Sequence, residues 1–189
     1  AKKAVLLKAL DDITKRYGEG SIVRLGEAKH MEVEVIPTGS LSLDIALGVG
    51  GIPRGRVAEI FGPEASGKTT LCLHLTAEAQ KKGGTVAYVD MEHALDPAYA
   101  ARLGVNVDDL LVITPNSGED AFEAMAFLIE EGVSIIVLDS IAALVSTAET
   151  QEDLSYNPMA SQARLVATNL RKIRQKLNTR AMDIGPENN

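Results

Sequence analysis

The stretch Gly62-Pro63-Glu64-Ala65-Ser66-Gly67-Lys68-Thr69 constrains this chain more than any other. It fits G-x-x-x-x-G-K-[ST] and lies between an apolar run, Val57–Phe61, and a helical pattern, Lys68–Lys82. Each residue type has a physical reason. The glycines let the backbone curl so that successive N–H groups point inward, and the helix that follows presents its positive dipole end to the same spot. In such a cradle Lys68 brings a mobile point charge to the β- and γ-phosphates of a nucleotide, and the Thr69 hydroxyl ligates Mg²⁺.

A strand and a helix around this motif demand more of the same. Apolar runs at Val57–Phe61, Val86–Val89, Leu110–Ile113 and Ile135–Leu138 alternate with helical patterns at Lys68–Lys82, Pro97–Leu103 and Glu119–Glu131. Buried strands separated by helices predict an α/β fold with a parallel sheet flanked by helices, a P-loop NTPase core. The chain can build it: with 189 residues, 46% of them apolar, it buries about 70% of its unfolded surface as a single domain. The single cysteine, Cys72, excludes a disulfide framework, and three scattered histidines argue against zinc. No apolar run approaches the roughly 20 residues that span a bilayer, and Ala1-Lys2-Lys3 does not begin a signal peptide. The expectation is a cytoplasmic protein with no membrane partner.

A phosphate cradle needs a second metal anchor, usually an acid at the end of a neighbouring buried strand. Ile135-Ile136-Val137-Leu138-Asp139 supplies Asp139, for which a cap on the segment after it is the lesser alternative; Ser140 beside it is a candidate to orient metal-bound water. Hydrolysis also needs a group that aligns or deprotonates water. Val89-Asp90-Met91-Glu92 ends a strand on the same sheet edge, since parallel strands share one C-terminal edge, and both Asp90 and Glu92 are candidates. Tyr99 lies one turn into the next helix, facing a base or covering core. Cys72 reads as packing, and His93 as structural, having no partner at metal spacing.

The flanks are simpler. Leu6, Leu10, Ile13 and Tyr17, spaced 4, 3 and 4, predict an amphipathic first helix ended by Gly18 and Gly20, which packs on its own core or on a neighbouring subunit. Ser21–Lys29 reads as a loop, and Met31, Val33 and Val35 as a short strand. Ser40 or Ser42 caps a helix whose apolar face is Leu43, Ile45, Ala46 and Leu47, and Gly48–Gly55 reads as turn throughout. Ala148–Tyr156 is a polar, acidic loop. Asn157-Pro158 starts a last helix, with asparagine as cap, proline at its first position and a stripe of Val166, Leu170, Ile173 and Leu177. Net charge is −7, against wholesale coating of nucleic acid, yet Leu154–Met182 holds six basic and no acidic side chains. Such a stretch is either a phosphate contact or a solvated helix face. Residues 1–30 are thus expected as helix and linker, 31–179 as the core, and 180–189 as a tail.

Several stretches together carry a resemblance. Ser21–Gly26, Thr38–Gly48, Gly62–Thr70, Glu92-His93-Ala94-Leu95-Asp96-Pro97 and Leu138-Asp139-Ser140 closely resemble bacterial RecA recombinases, in register over about residues 1–179. The resemblance implies an ATP-dependent recombinase of DNA repair and the SOS response to DNA damage. Such a protein polymerises as a homo-oligomeric filament on single-stranded DNA and exchanges strands with duplex DNA. It implies Gly62 through Thr70 (Gly62, Pro63, Glu64, Ala65, Ser66, Gly67, Lys68, Thr69 and Thr70) around ATP, with Lys68 and Thr69 on phosphate and Mg²⁺. It also implies Glu92 activating water, Asp139 as the second metal anchor with Ser140 beside it, and Asp96 and Tyr99 at the adenine. Glu152–Ala160 falls at the first DNA-binding loop, and the first helix falls where one subunit docks on the next.

The departures are equally definite. After the basic helix the resemblance calls for a strand with a γ-phosphate-sensing glutamine, a second DNA loop, further strands and a C-terminal domain. None follows Leu177, and Leu154–Pro158 is poorer in glycine than expected. Gly185-Pro186-Glu187-Asn188 faintly echoes part of that second loop. The missing strand belongs between the one leading to Gly62 and the one ending at Asp139, so the sheet is expected to stay open there or to pair differently. A shortened recombinase is the first reading. A nucleotide-holding subunit that docks on intact recombinase without catalysis is the second, and a P-loop kinase is a weaker third.

Overall fold

The structure, a computed structural model, describes residues 2–18, 34–144 and 158–183. Met31, Val33, the loop 21–29, the acidic loop 148–156, Asn157 and residues 184–189 lie outside the described residues. The chain divides into two compact units, Ala1–Val33 and Glu34–Asn189. The first holds helix α1, Lys2–Tyr17, braced by a Lys15–Asp11 ion pair one turn apart. Gly18 closes it at φ 92°, its N–H bonding Thr14 O, a backbone state glycine adopts without cost.

The second unit opens with strand β1, Val35–Ile36, helix α2, Leu41–Leu47, and strand β2, Ile52–Pro53. β1 and β2 pair antiparallel, so the Gly48–Gly55 stretch is not turn throughout. Gly51 explains the difference. A Cβ there would stand 2.3 Å from Ile36 O, so this glycine permits two backbones to touch rather than a chain to turn. Helix α2 begins after Ser40, but no serine hydroxyl caps it; Ser40 and Ser42 bond each other, while Asp44 Oδ1 accepts the N–H of buried Thr38. Its expected apolar face is mostly exposed: Ile45, Ala46 and Leu47 face solvent and Leu43 is half-buried.

Helix α3, Lys68–Lys81, strand β3, Val86–Asp90, helix α4, Pro97–Arg102, strand β4, Leu111–Ile113, helix α5, Gly118–Glu131, and strand β5, Ile135–Asp139, follow in turn. A short 3-10 turn, Ile141–Ala143, and the long helix α6, Pro158–Asp183, complete the described chain. The strands form one parallel sheet in the order β4-β3-β5, in register with Val86 opposite Ile135 and Asp90 opposite Asp139. β3 is buried along its whole length because it has a neighbour on each edge and helices on each face. Its side chains alternate between two cores. Tyr88 joins Leu73, Ala77, Ala100, Val105 and Val137 on one face, and Val89 joins Phe122, Met125, Ile129, Leu144 and Ile173 on the other.

Val57–Phe61 and Arg180–Asp183 also fold otherwise than expected. Val57–Phe61 forms no strand: Val57 is exposed, Phe61 is 85% exposed, and only Ile60 packs, against the Ile36, Leu75, Ala79 and Val86 cluster. An apolar run becomes a strand only when a neighbour takes its N–H and C=O groups, and among the described residues β5 pairs with β3 alone. The sheet is thus open where the resemblance placed a missing strand. Arg180–Asp183 are helical rather than tail, because α6 runs on to Asp183. The α6 stripe is as expected, with Val166, Leu170, Ile173 and Leu177 all packed against the α5 core. Of its basic residues, Arg164, Arg171, Lys172 and Arg174 are exposed, and Lys176 pairs with Glu130. No described helix is long and apolar enough to cross a membrane.

Candidate functional site

The segment from Gly62 to Thr69 curls tightly ahead of α3. Ser66 N–H bonds Pro63 O at 3.3 Å, and two residues take positive φ, Ala65 at 57° and Gly67 at 89°. For Ala65, which carries a Cβ, this left-handed backbone costs about 1–2 kcal/mol, and it is the alternation of hand that aims neighbouring N–H groups to one side. Gly62 has a second role: a Cβ there would meet Ser66 Oγ at 2.8 Å. Lys68 begins α3 and folds back over the loop, its Nζ donating to Gly62 O at 3.1 Å and Pro63 O at 2.9 Å. Glu64 is exposed.

One residue on, Thr69 Oγ1 donates to Asp139 Oδ2 at 2.7 Å, tying the first turn of α3 to the last residue of β5. The same oxygen accepts the phenol of Tyr88, also at 2.7 Å. Beside them Cys72 is half-buried, and burial together with the Asp139 charge pushes its thiol up to about 11. It stays protonated and unreactive at neutral pH, as packing requires. Burial, the bond to Asp139 and the neighbouring negative charges likewise push the Tyr88 phenol far up, so it remains a donor.

The geometry separates the two carboxylates at the end of β3. Asp90 is 5% exposed, and its oxygens accept the N–H groups of Ala94 at 3.3 Å and Leu95 at 3.0 Å, so it holds the turn that follows the strand. Glu92 is exposed and accepts the Ser140 hydroxyl on Oε1 at 2.5 Å. Ser140 thus faces a carboxylate of the turn that follows β3. His93 sits in that turn with φ 53°, exposed to solvent.

Asp96 caps α4, its Oδ1 accepting Ala98 N–H at 2.8 Å, and Pro97 takes the first helical position, where a missing N–H costs nothing. Tyr99, one turn on, is half-buried: its OH is 2.9 Å from Thr70 Oγ1, and the Arg102 guanidinium lies over its ring. Thr70 and Tyr99 therefore join α3 to α4. The structure brings Thr69, Asp139 and Tyr88 together at one place and Glu92 and Ser140 at another on the same sheet edge, while the Lys68 ammonium stays on the carbonyls of its own loop.

Two residues escaped the sequence reading. Tyr88 lies inside the apolar run Val86–Val89, and its signal was the one hydroxyl in an otherwise apolar strand. Gln162 of α6 donates through Nε2 to the carbonyls of Ile141, Ala142 and Leu144, each at 3.1 Å, pinning the turn that follows Asp139 and Ser140. Nothing in its local pattern distinguished it from a surface glutamine.

The RecA N-terminal domain family matches residues 4–184. The chain is 54% identical over 178 residues to protein RecA of Rickettsia massiliae, covering 94% of this chain and 52% of that protein. It is 57% identical over 173 residues to protein RecA of Caldanaerobacter subterraneus subsp. tengcongensis, covering 91% and 51%. It therefore spans about half the length of the curated relatives it matches. With that likeness running from the first helix through α6 and across the curled loop ahead of it, the chain belongs to the RecA family.

Proposed function

We propose that this chain is the nucleotide-handling part of an ATP-dependent DNA recombinase, working in the cytoplasm on single-stranded DNA as a filament and exchanging strands with duplex DNA. The observation that carries the reading is the bond between Thr69 Oγ1 and Asp139 Oδ2, because it joins the phosphate-loop helix to an acid on the neighbouring strand end. Hydroxyl and carboxylate oxygens are the donors a hard divalent cation prefers, so Thr69 and Asp139 fit Mg²⁺. Thr69 and Asp139 would hold Mg²⁺ there, and its charge would offset that of the nucleotide's phosphates. Gly62 through Thr70 supply the cradle's N–H groups and hydroxyls. Lys68 leaves its own loop carbonyls to meet the γ-phosphate, exchanging neutral acceptors for a charged one.

Glu92 is the group proposed to take a proton from the attacking water, with Ser140 holding one of its oxygens in place. Asp90 is already engaged by two N–H groups and is the poorer base. Asp96 and Tyr99 are proposed at the adenine, Tyr99 held through Thr70. Residues 1–30 are proposed as the arm that docks one subunit on the next, residues 31–179 as the ATPase core, and the exposed basic side chains of α6 as a route for DNA phosphates.

The test is turnover. With Mg·ATP, addition of single-stranded DNA is expected to raise phosphate release, the stimulation fading as salt rises, and filaments are expected in electron micrographs. A chain that binds Mg·ATP yet shows neither stimulation nor filaments ends the recombinase reading. The open β5 edge and the unpaired Val57–Phe61 run favour a second one, a subunit that holds nucleotide and docks on intact recombinase without catalysis. Mixed with a full-length relative, such a subunit shortens filaments and lowers ATPase activity.

A further inference from the structure

We propose that Tyr88 is a positioning residue for the metal-holding carboxylate of Asp139, an inference that rests on the nucleotide reading above. Tyr88 stands opposite Val137 in the β3–β5 ladder, and Asp139 lies two residues further along β5 on the same face. Diagonal neighbours of this kind are about 7 Å apart at the backbone, within reach of a long side chain such as the phenol. The ring is 1% exposed and is held by Leu73, Ala77, Ala100 and Val105, so its direction is set by packing. The hydroxyl ends 2.7 Å from Asp139 Oδ2.

A phenylalanine would fill the same space, so the core does not require the hydroxyl. What the hydroxyl adds is a donor to a carboxylate. Thr69 donates to the same oxygen, but the nucleotide reading gives Thr69 a second duty, its oxygen lone pairs being offered to the cation. Tyr88 has no such duty. It is the donor that stays when Thr69 turns to metal, and it keeps the Asp139 carboxylate from swinging to solvent, leaving Oδ1 outside both bonds. Gripping the carboxylate before the cation arrives lowers the ordering cost of binding it.

The test separates metal from nucleotide. In the full chain, Tyr88→Phe is checked for fold by circular dichroism, ADP is titrated calorimetrically in EDTA, and Mg²⁺ is then titrated into the ADP-saturated protein. ADP affinity in EDTA is expected to stay within about two-fold of the unsubstituted chain while the Mg²⁺ midpoint rises about ten-fold, the loss of one hydrogen bond to a charged group. An unchanged Mg²⁺ midpoint overturns the inference. So does an equal loss of affinity with and without Mg²⁺, which marks Tyr88 as a structural prop. If the unsubstituted chain binds ADP under neither condition, the nucleotide reading falls and takes this inference with it. A measurement without substitution guards against misfolding: with tyrosines carrying ¹³C at Cζ, the Tyr88 resonance is the one least broadened by a soluble paramagnetic agent, its ring being 1% exposed. It is expected to shift when Mg²⁺ joins bound ADP, and no shift overturns the inference.

Discussion

Thr69 Oγ1 and Asp139 Oδ2 lie 2.7 Å apart although seventy positions separate them in the chain. The bond forms because α3 starts at the loop and β5 ends beside it, both on the C-terminal edge of a parallel sheet. It gives the curled loop ahead of α3 a fixed relation to a carboxylate, and the consequences can be measured one side chain at a time.

Lys68→Ala removes the ammonium while leaving the curl made by Ala65 and Gly67. Mg·ATP affinity by calorimetry is expected to fall about thirty-fold or more, the worth of a charge-assisted hydrogen bond. Stability without ligand is expected to change by less than about 1 kcal/mol, since its partners are solvent-exposed loop carbonyls.

Glu92→Gln keeps shape and the acceptor for Ser140 but removes the carboxylate proposed as base. Mg·ATP binding is expected within about three-fold of the unsubstituted chain, and steady-state hydrolysis is expected to drop about 10²- to 10⁴-fold. Equal loss of binding and hydrolysis would assign Glu92 to structure. Ser140→Ala is expected to lower turnover less, since it frees Glu92 without deleting it.

Cys72 predicts an alkaline limit. Its thiol is raised from 9.0 to about 11 in the folded chain, so the folded state holds the proton more tightly than the unfolded one. The resulting stability is fully present below pH 9.0 and is lost as pH climbs through about 11. Urea unfolding of Cys72→Ala across that window is expected to show a shallower decline, by up to about 1.4 kcal/mol per pH unit. Coincident curves for the two chains would remove Cys72 as a cause.

Gly51→Ala puts a methyl 2.3 Å from Ile36 O, against backbone that cannot step aside without breaking the β1–β2 pair. The expected cost is about 3 kcal/mol in chemical denaturation, near the upper end for overpacking. Gly55→Ala meets no atom within 4 Å and bears only the strain of its φ of +67°, so about 1 kcal/mol is expected there.

What was legible in the sequence was what neighbours along the chain decide. The curl at Gly62–Thr69, the start of α3 at Lys68, the Pro97 start of α4 and the stripe Val166, Leu170, Ile173 and Leu177 of α6 all follow from short-range spacing, and the structure has each of them. Asp139 was legible as an acid ending an apolar run. Its two hydroxyl donors were not, because Thr69 and Tyr88 reach it only through the packing of α3 and the register of β3 on β5. Asp90 and Glu92 looked alike as strand-end acids until the turn after β3 claimed one with backbone N–H groups and left the other to Ser140. Val57–Phe61 shows the boundary most clearly: five residues of strand composition remain unpaired because pairing belongs to the neighbour as much as to the run itself. Helical periodicity and loop curvature are satisfied within a few residues, so the sequence determines them alone. Ladder partners, backbone contacts such as Gly51 against Ile36 and the sharing of one carboxylate oxygen need atoms brought from far along the chain, and only the tertiary structure decides which arrive.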